Sequence, residues 1–109
     1  MEEKEIKTIL IEDFKANKSI IDYVDDDFAI VNNLEEAPTG NDTVRLGCFL
    51  LAICMEGCIQ LDINRKTYLL EEGDLLLGLP NTIISHVLLS PRNKIRFAGF
   101  STRFLQRVL

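Results

Sequence analysis

The sequence predicts an all-β fold, a sandwich or barrel, and three observations carry that expectation. Turn signals rich in Gly, Pro, Asn and Asp recur roughly every eight to twelve residues from Phe28 onward. Between Cys58 and Ile63 the apolar residues Ile59, Leu61 and Ile63 alternate with Cys58, Gln60 and Asp62, the period of a strand with one wet face. A helical period appears clearly only after Ser101. About seven or eight short strands result, and a double-sheet jelly roll belongs to this class.

The elements follow in order. Thr8 to Ile11 fits a short strand, Glu12 to Lys18 a helical turn, and Ile20-Ile21 a second extended piece. Asp25-Asp26-Asp27 could chelate a cation, but consecutive residues of an extended chain point to opposite sides, so the run is expected to be a solvated turn. Phe28 to Val31 is a short strand, and Asn32 to Asp42, with Pro38 and Gly40, is a loop. Val44 to Met55 is too apolar for an amphipathic helix and contains Gly47. It is expected to form one bent strand or two consecutive ones, largely buried.

Gly57 turns the chain into the strand ending at Ile63, and Asn64-Arg65 closes a tight hairpin onto Lys66 to Leu70. The turn Glu71-Glu72-Gly73-Asp74 leads to Leu75 to Leu79, expected as a buried strand stopped by Pro80, which has no N–H to give a ladder. Ile83 to Leu89 carries His86, and Lys94 to Phe100 is the last strand. Ser101 is a good helix N-cap, and Phe104, Leu105, Val108 and Leu109 form an apolar stripe behind it, with Arg103 and Arg107 on the other side.

Composition narrows the function. The 109 residues suit one domain with one core. Twelve Lys and Arg are outnumbered by seventeen Asp and Glu, a net charge of −5 that argues against direct binding of nucleic acid. The start Met1-Glu2-Glu3-Lys4-Glu5 lacks the order of a signal peptide, and the apolar run Gly47 to Met55 is about half the length of a membrane span, so a cytoplasmic protein is expected. Cys48, Cys54 and Cys58 form no C-x-x-C pair and are expected as reduced, inert core thiols. No nucleophile elbow or phosphate loop is present.

Met55-Glu56-Gly57, the hairpin Ile59 to Leu70 through Asn64-Arg65, then Gly73-Asp74-Leu75-Leu76-Leu77, Pro80-Asn81-Thr82-Ile83 and His86 resemble, in this order, the core of the cupin superfamily. The stretch looks most like the N-terminal sensor domain of AraC-family bacterial transcription regulators. Phe97-Ala98-Gly99-Phe100-Ser101 and the residues after it resemble that family's last strand and the start of its linker helix. The resemblance covers roughly residues 28–109. It implies a small cupin jelly-roll barrel at 28–100, preceded by an N-terminal extension at 1–27 that packs on it and followed at 101–109 by the start of a linker or dimerisation helix.

Enzymatic cupins hold a metal with two His and a Glu from a first motif and a His from a second. Counted back from Gly57, the Glu position falls on Leu50, and the His positions fall on Val44 and Leu46 or on Thr43 and Arg45. In the second motif Ser85 takes the ligand position and His86 lies one residue beyond it, where a slip of one turns a side chain to the other face. No metal, no cofactor and no enzymatic activity are therefore expected.

The function expected from the resemblance is effector sensing and homodimerisation for a regulator whose helix-turn-helix DNA-reading half is missing here, so that DNA would be contacted only through that half. The effector is a small molecule that the sequence does not identify. Arg45, Gln60, Tyr68 and His86 are the candidate effector contacts, although each also fits a surface-facing residue. Phe104, Leu105, Val108 and Leu109 are the candidate dimerisation residues. The alternatives are a stand-alone cupin isomerase or dioxygenase and an interaction module with a filled barrel.

Overall fold

Alternation along the strands divides the chain into an inward and an outward set, and the inward set closes two sheets on each other. The computed structural model describes residues 6–14, 20–24, 27–32 and 43–109, with the backbone course alone for 20–24. One sheet has the order β1 (Lys7–Ile9), β4 (Thr43–Leu46), β9 (Ile83–Leu89), β6 (Cys58–Ile63), β7 (Lys66–Glu71). The other has the order β2 (Ile20–Val24), β3 (Phe28–Asn32), β10 (Lys94–Phe100), β5 (Phe49–Glu56), β8 (Leu75–Gly78). Consecutive strands lie in different sheets at several places, and the result is the double-sheet jelly roll that the sequence predicts. The helix α1 (Thr102–Val108) follows β10.

Val44 to Met55 resolves into two strands of different sheets, with Gly47 and Cys48 at the break. The hairpin at Asn64-Arg65 has both residues at positive φ, 49° and 72°, which matches the twist of β6 and β7. Asn64 also staples this turn to the neighbouring strand, since its Oδ1 accepts from the Ile83 N–H at 3.0 Å. Gly57 has φ 80° and lies so close to the Arg92 carbonyl that a side chain has no room. Asp74 accepts from the Glu71 N–H at 2.8 Å, as a turn aspartate does.

The described parts of the first 27 residues are woven into the fold. β1 pairs in parallel with β4, and β2 pairs antiparallel with β3. Between them Ile11 to Phe14 form a 3-10 turn, and Ile11 and Phe14 are buried. Phe14 meets Phe97 edge-on, ring centroids 5.4 Å apart.

The core has two adjoining parts. Val44, Leu46, Cys54, Ile59, Leu61, Leu70, Ile84, Val87 and Ile95 form the larger one. Ile11, Phe14, Ala29, Val31, Cys48 and Phe97 form the other, and Ile9, Leu50 and Ala52 touch both.

Two expectations are corrected. Leu75 to Leu79 is not a buried strand: β8 is an edge strand, and Leu75 and Leu77 are 63% and 56% exposed. An apolar run signals burial only if a neighbour covers both of its faces, and here the outward face is open. Asp27 is not a solvated turn residue but is 4% exposed and fully engaged; Asp25 and Asp26 lie outside the described residues.

Candidate functional site

Three places could carry function: the space between the sheets, the outer face of the first sheet, and the seat of α1. Between the sheets, the positions where the sequence count puts metal ligands carry Val44, Leu46 and Leu50. Val44 and Leu46 are buried in the core, and Leu50 packs against both of its parts. Leu46, 1% exposed, reaches across to Gly78 on the opposite sheet. Imidazole or carboxylate donors are absent from these positions, so the residues present do not fit a metal of the cupin kind. Among the described residues no group of three or more His, Cys, Asp or Glu could hold a metal ion.

The candidate effector contacts divide. Arg45 and Gln60 alternate with buried neighbours on β4 and β6 and face outward, both exposed. Tyr68 lies opposite Leu61 on the inward side of the edge strand β7, 41% exposed, with the Lys66 Nζ 5.6 Å from its ring centroid. His86 sits at a β-bulge. The β6–β9 register shifts by one between Gln60 and Asp62, and His86 takes φ 52° there. The bulge turns both Ser85 and His86 outward. His86 Nδ1 lies 2.9 Å from Asp62 Oδ2, and the Thr67 hydroxyl donates to Asp62 Oδ1 at 2.6 Å. The Thr67 hydroxyl, with His86 after it, holds the Asp62 carboxyl below its ordinary range. The structure thus joins His86 to Asp62 and Thr67, with Gln60 on the same outer face, rather than bringing the four candidates into the barrel.

Asp27, which no local pattern singles out from its run, holds the helix. Its carboxylate receives the Ser101 hydroxyl at 2.7 Å and the Arg103 guanidinium at 2.8, 3.0 and 3.2 Å, while Arg107 Nη1 lies 3.8 Å away. The Ser101 hydroxyl in turn caps α1 by accepting from the Phe104 N–H at 3.0 Å. The Arg103 bond, followed by the Ser101 bond, holds the Asp27 carboxyl below its usual value. Phe104 stacks on Phe28 at 4.9 Å and tilts against Phe100 at 6.1 Å. Of the candidate dimerisation residues, Phe104 is therefore used within the chain, Leu105 is half-buried, and Val108 and Leu109 are exposed.

The cysteines are not a reactive cluster. Cys48 and Cys54 are buried, and Cys58 is half-buried. Burial, with Asp13 nearby, pushes the Cys48 thiol up to about 11.

The arrangement has solved counterparts. The cupin domain of Schizosaccharomyces pombe Cnp3 superposes with a TM-score of 0.60 at 9% identity, over 82% of this chain and 63% of that one. KdgF from Halomonas sp. superposes with a TM-score of 0.57 at 14% identity, over 79% of each chain. The fold is a cupin fold. Fe(II)-HppE, solved with an alternative substrate, is similar over 67% of this chain and 41% of its own, at a TM-score of 0.51 and 16% identity. The chain thus spans less than two thirds of the Cnp3 cupin structure and of HppE. At such identities the likeness shows the cupin fold and nothing finer. No family model matches the sequence, and no curated protein matches it. Among the described residues no helix is long and apolar enough to cross a membrane.

Proposed function

We propose that this chain is a non-enzymatic cupin module of a regulator, the barrel that AraC-type regulators place ahead of their DNA-reading half. The observation that carries this function is the seat of α1. A nearly buried carboxylate binds the helix cap and two of its arginines, from residues 74 to 80 positions earlier in the chain. A helix that follows the last barrel strand and is seated by a charged knot beside a stacked Phe104 can be held or released as a unit, as an output element must be. The apolar residues at Val44, Leu46 and Leu50 leave the barrel without the donors that a metal-dependent reaction would need there.

The effector in this function is a small molecule that favours one position of α1 over another. The outer-face group Gln60, Asp62, Thr67 and His86 is the polar surface on the first sheet that could receive it. Tyr68 at the rim of the inner side is the alternative contact.

The test joins the chain through Leu109 to a DNA-reading domain that works only in pairs, with a transcriptional reporter. Output is expected from the wild-type chain, and Asp27→Asn should change it at unchanged protein abundance. A fusion that is abundant and silent, or one indifferent to Asp27→Asn, would remove the regulator function.

A further inference from the structure

A cleft of about 260 Å³ opens beside the barrel, where three separate parts of the chain meet. Leu10, Ile11 and Glu12 form one wall, at the start of the 3-10 turn. Gly47 and Cys48, at the break between β4 and β5, form the second. Ser101 and Thr102, at the start of α1, form the third. Neither the outer-face group around His86 nor the positions Val44, Leu46 and Leu50 border this cleft.

Each wall is fixed by bonds of its own. The Leu10 N–H donates to Asp13 Oδ2 at 2.8 Å, and the Asp13 N–H donates to the Leu10 carbonyl at 3.0 Å, so the turn that carries Glu12 is closed on itself. The Gly47 N–H donates to the Ile9 carbonyl at 2.8 Å and ties the strand break to the segment before that turn. A side chain at Gly47 would not fit, because its Cβ would lie 2.6 Å from Leu10 Cδ2 and 2.9 Å from Thr8 Cγ2. The Ser101 hydroxyl is held between Asp27 and the Phe104 N–H. The cleft is therefore preformed, and a ligand has little chain to order on entering it.

The lining selects a ligand by chemistry. The buried Ile11 and Cys48 and the exposed Leu10 give it an apolar side. Glu12 is the charged residue of the lining, and among the described residues no Lys, Arg or His borders the cleft. The Asp27 carboxylate behind Ser101 is met by Arg103 and Arg107, so Glu12 sets the sign of the charge a ligand meets. A single carboxylate is too few ligands for a divalent cation, and an anionic ligand would face Glu12 with no cation to receive it. An ammonium group has three donors for the Glu12 carboxylate and for hydroxyl oxygens on the third wall. The volume is below the ~300 Å³ at which sites for drug-sized ligands begin, which limits the occupant to a small metabolite. We propose that this cleft binds a small primary amine, with its ammonium group on Glu12 and its short hydrocarbon body against Leu10 and Ile11. The inference stands on the cleft alone and does not depend on the regulator function.

Titration of the purified chain with isopentylammonium, followed through its backbone amide NMR shifts, tests it. Isopentanol and isocaproate are the controls, since they keep the hydrocarbon body and change the head group. Isopentylammonium is expected to move the Gly47, Cys48 and Thr102 amides saturably, with a Kd of about 1–5 mM. Isopentanol should bind about three- to fivefold more weakly and isocaproate at least tenfold more weakly. Glu12→Gln, a change at an exposed side chain, should weaken isopentylammonium about three- to fivefold and leave isopentanol unchanged. Glu72→Gln, in the turn beside Cys54 near the far end of β5, should alter neither. Circular dichroism checks that both variants fold. No saturable shift by about 20 mM would overturn the inference. So would equal affinity for the three head groups, shifts centred on His86 instead of the cleft, or binding indifferent to Glu12→Gln. A silent reporter fusion with the cleft still binding the amine would leave this site standing and remove the regulator function instead.

Discussion

Leu46 and Gly78 offer a direct probe of how the barrel is filled. Leu46, on β4 of one sheet, is 1% exposed, and its Cδ1 lies 2.5 Å from where a Cβ on Gly78 of β8 would stand. Truncation by Leu46→Ala removes a fully buried side chain and leaves a cavity, a loss of about 3 kcal/mol within the usual range for such sites. For a chain of this length that corresponds to a fall in Tm of about 13 °C. Gly78→Ala puts a methyl group against the tip of Leu46, which must shift, at a cost of about 1–3 kcal/mol. The two changes are complementary, because the new methyl enters the space that the truncation opens. The double variant is therefore expected to be more stable than the two single costs imply, with a coupling of about 1 kcal/mol or more. Urea unfolding of the four proteins measures it, with equal slopes confirming a common unfolded state. Strict additivity, or a Leu46→Ala cost under about 0.5 kcal/mol, would mean that the two sheets do not meet through this side chain.

Other predictions concern the helix seat, a turn and a thiol. The Asp27 carboxyl is held below its unfolded value, so its contribution is present above that value, near 3.8, and fades as pH falls through the lower folded one. Acid unfolding followed by circular dichroism should thus show a stability decline below about pH 4 that is smaller in Asp27→Asn; identical profiles would refute the helix seat. Gly57→Ala should destabilise by more than about 1 kcal/mol in urea, since φ is 80° and the Arg92 carbonyl occupies the place of the new methyl; an unchanged midpoint would contradict the turn. Cys48, pushed up to about 11, is roughly a thousandth thiolate at pH 8, so it should label with a thiol reagent only on unfolding. Rapid labelling of Cys48 in the native protein would mean that the second core is open.

The β class of this chain was legible because it rests on local patterns. Cys58 to Ile63 alternates, Asn64-Arg65 takes the positive φ of a tight hairpin, and Ser101 caps the helix it was expected to cap. The errors come from long-range terms. A run such as Leu75 to Leu79 shows that side chains want cover, not whether the same chain provides it. The Asp27–Arg103 pair joins residues 76 apart, and no local pattern distinguishes Asp27 from Asp25 and Asp26. At His86, the offset by one residue from the cupin ligand position was visible in the sequence. Its cause, a bulge that turns the side chain toward Asp62, depends on the pairing of β9 with β6. The apolar character of Val44, Leu46 and Leu50 is local and was legible, whereas the facing of Arg45, Gln60 and His86 is set by strand pairing.

The metal content of the freshly purified chain bears most directly on a cupin fold whose usual ligand positions are filled by Val44, Leu46 and Leu50. Elemental analysis is expected to find no manganese, iron, nickel, copper or zinc in stoichiometric amount, and added ions should leave the Tm unchanged, since a specific ligand stabilises what it binds. One metal ion per chain, retained through dialysis and raising the Tm, would contradict it.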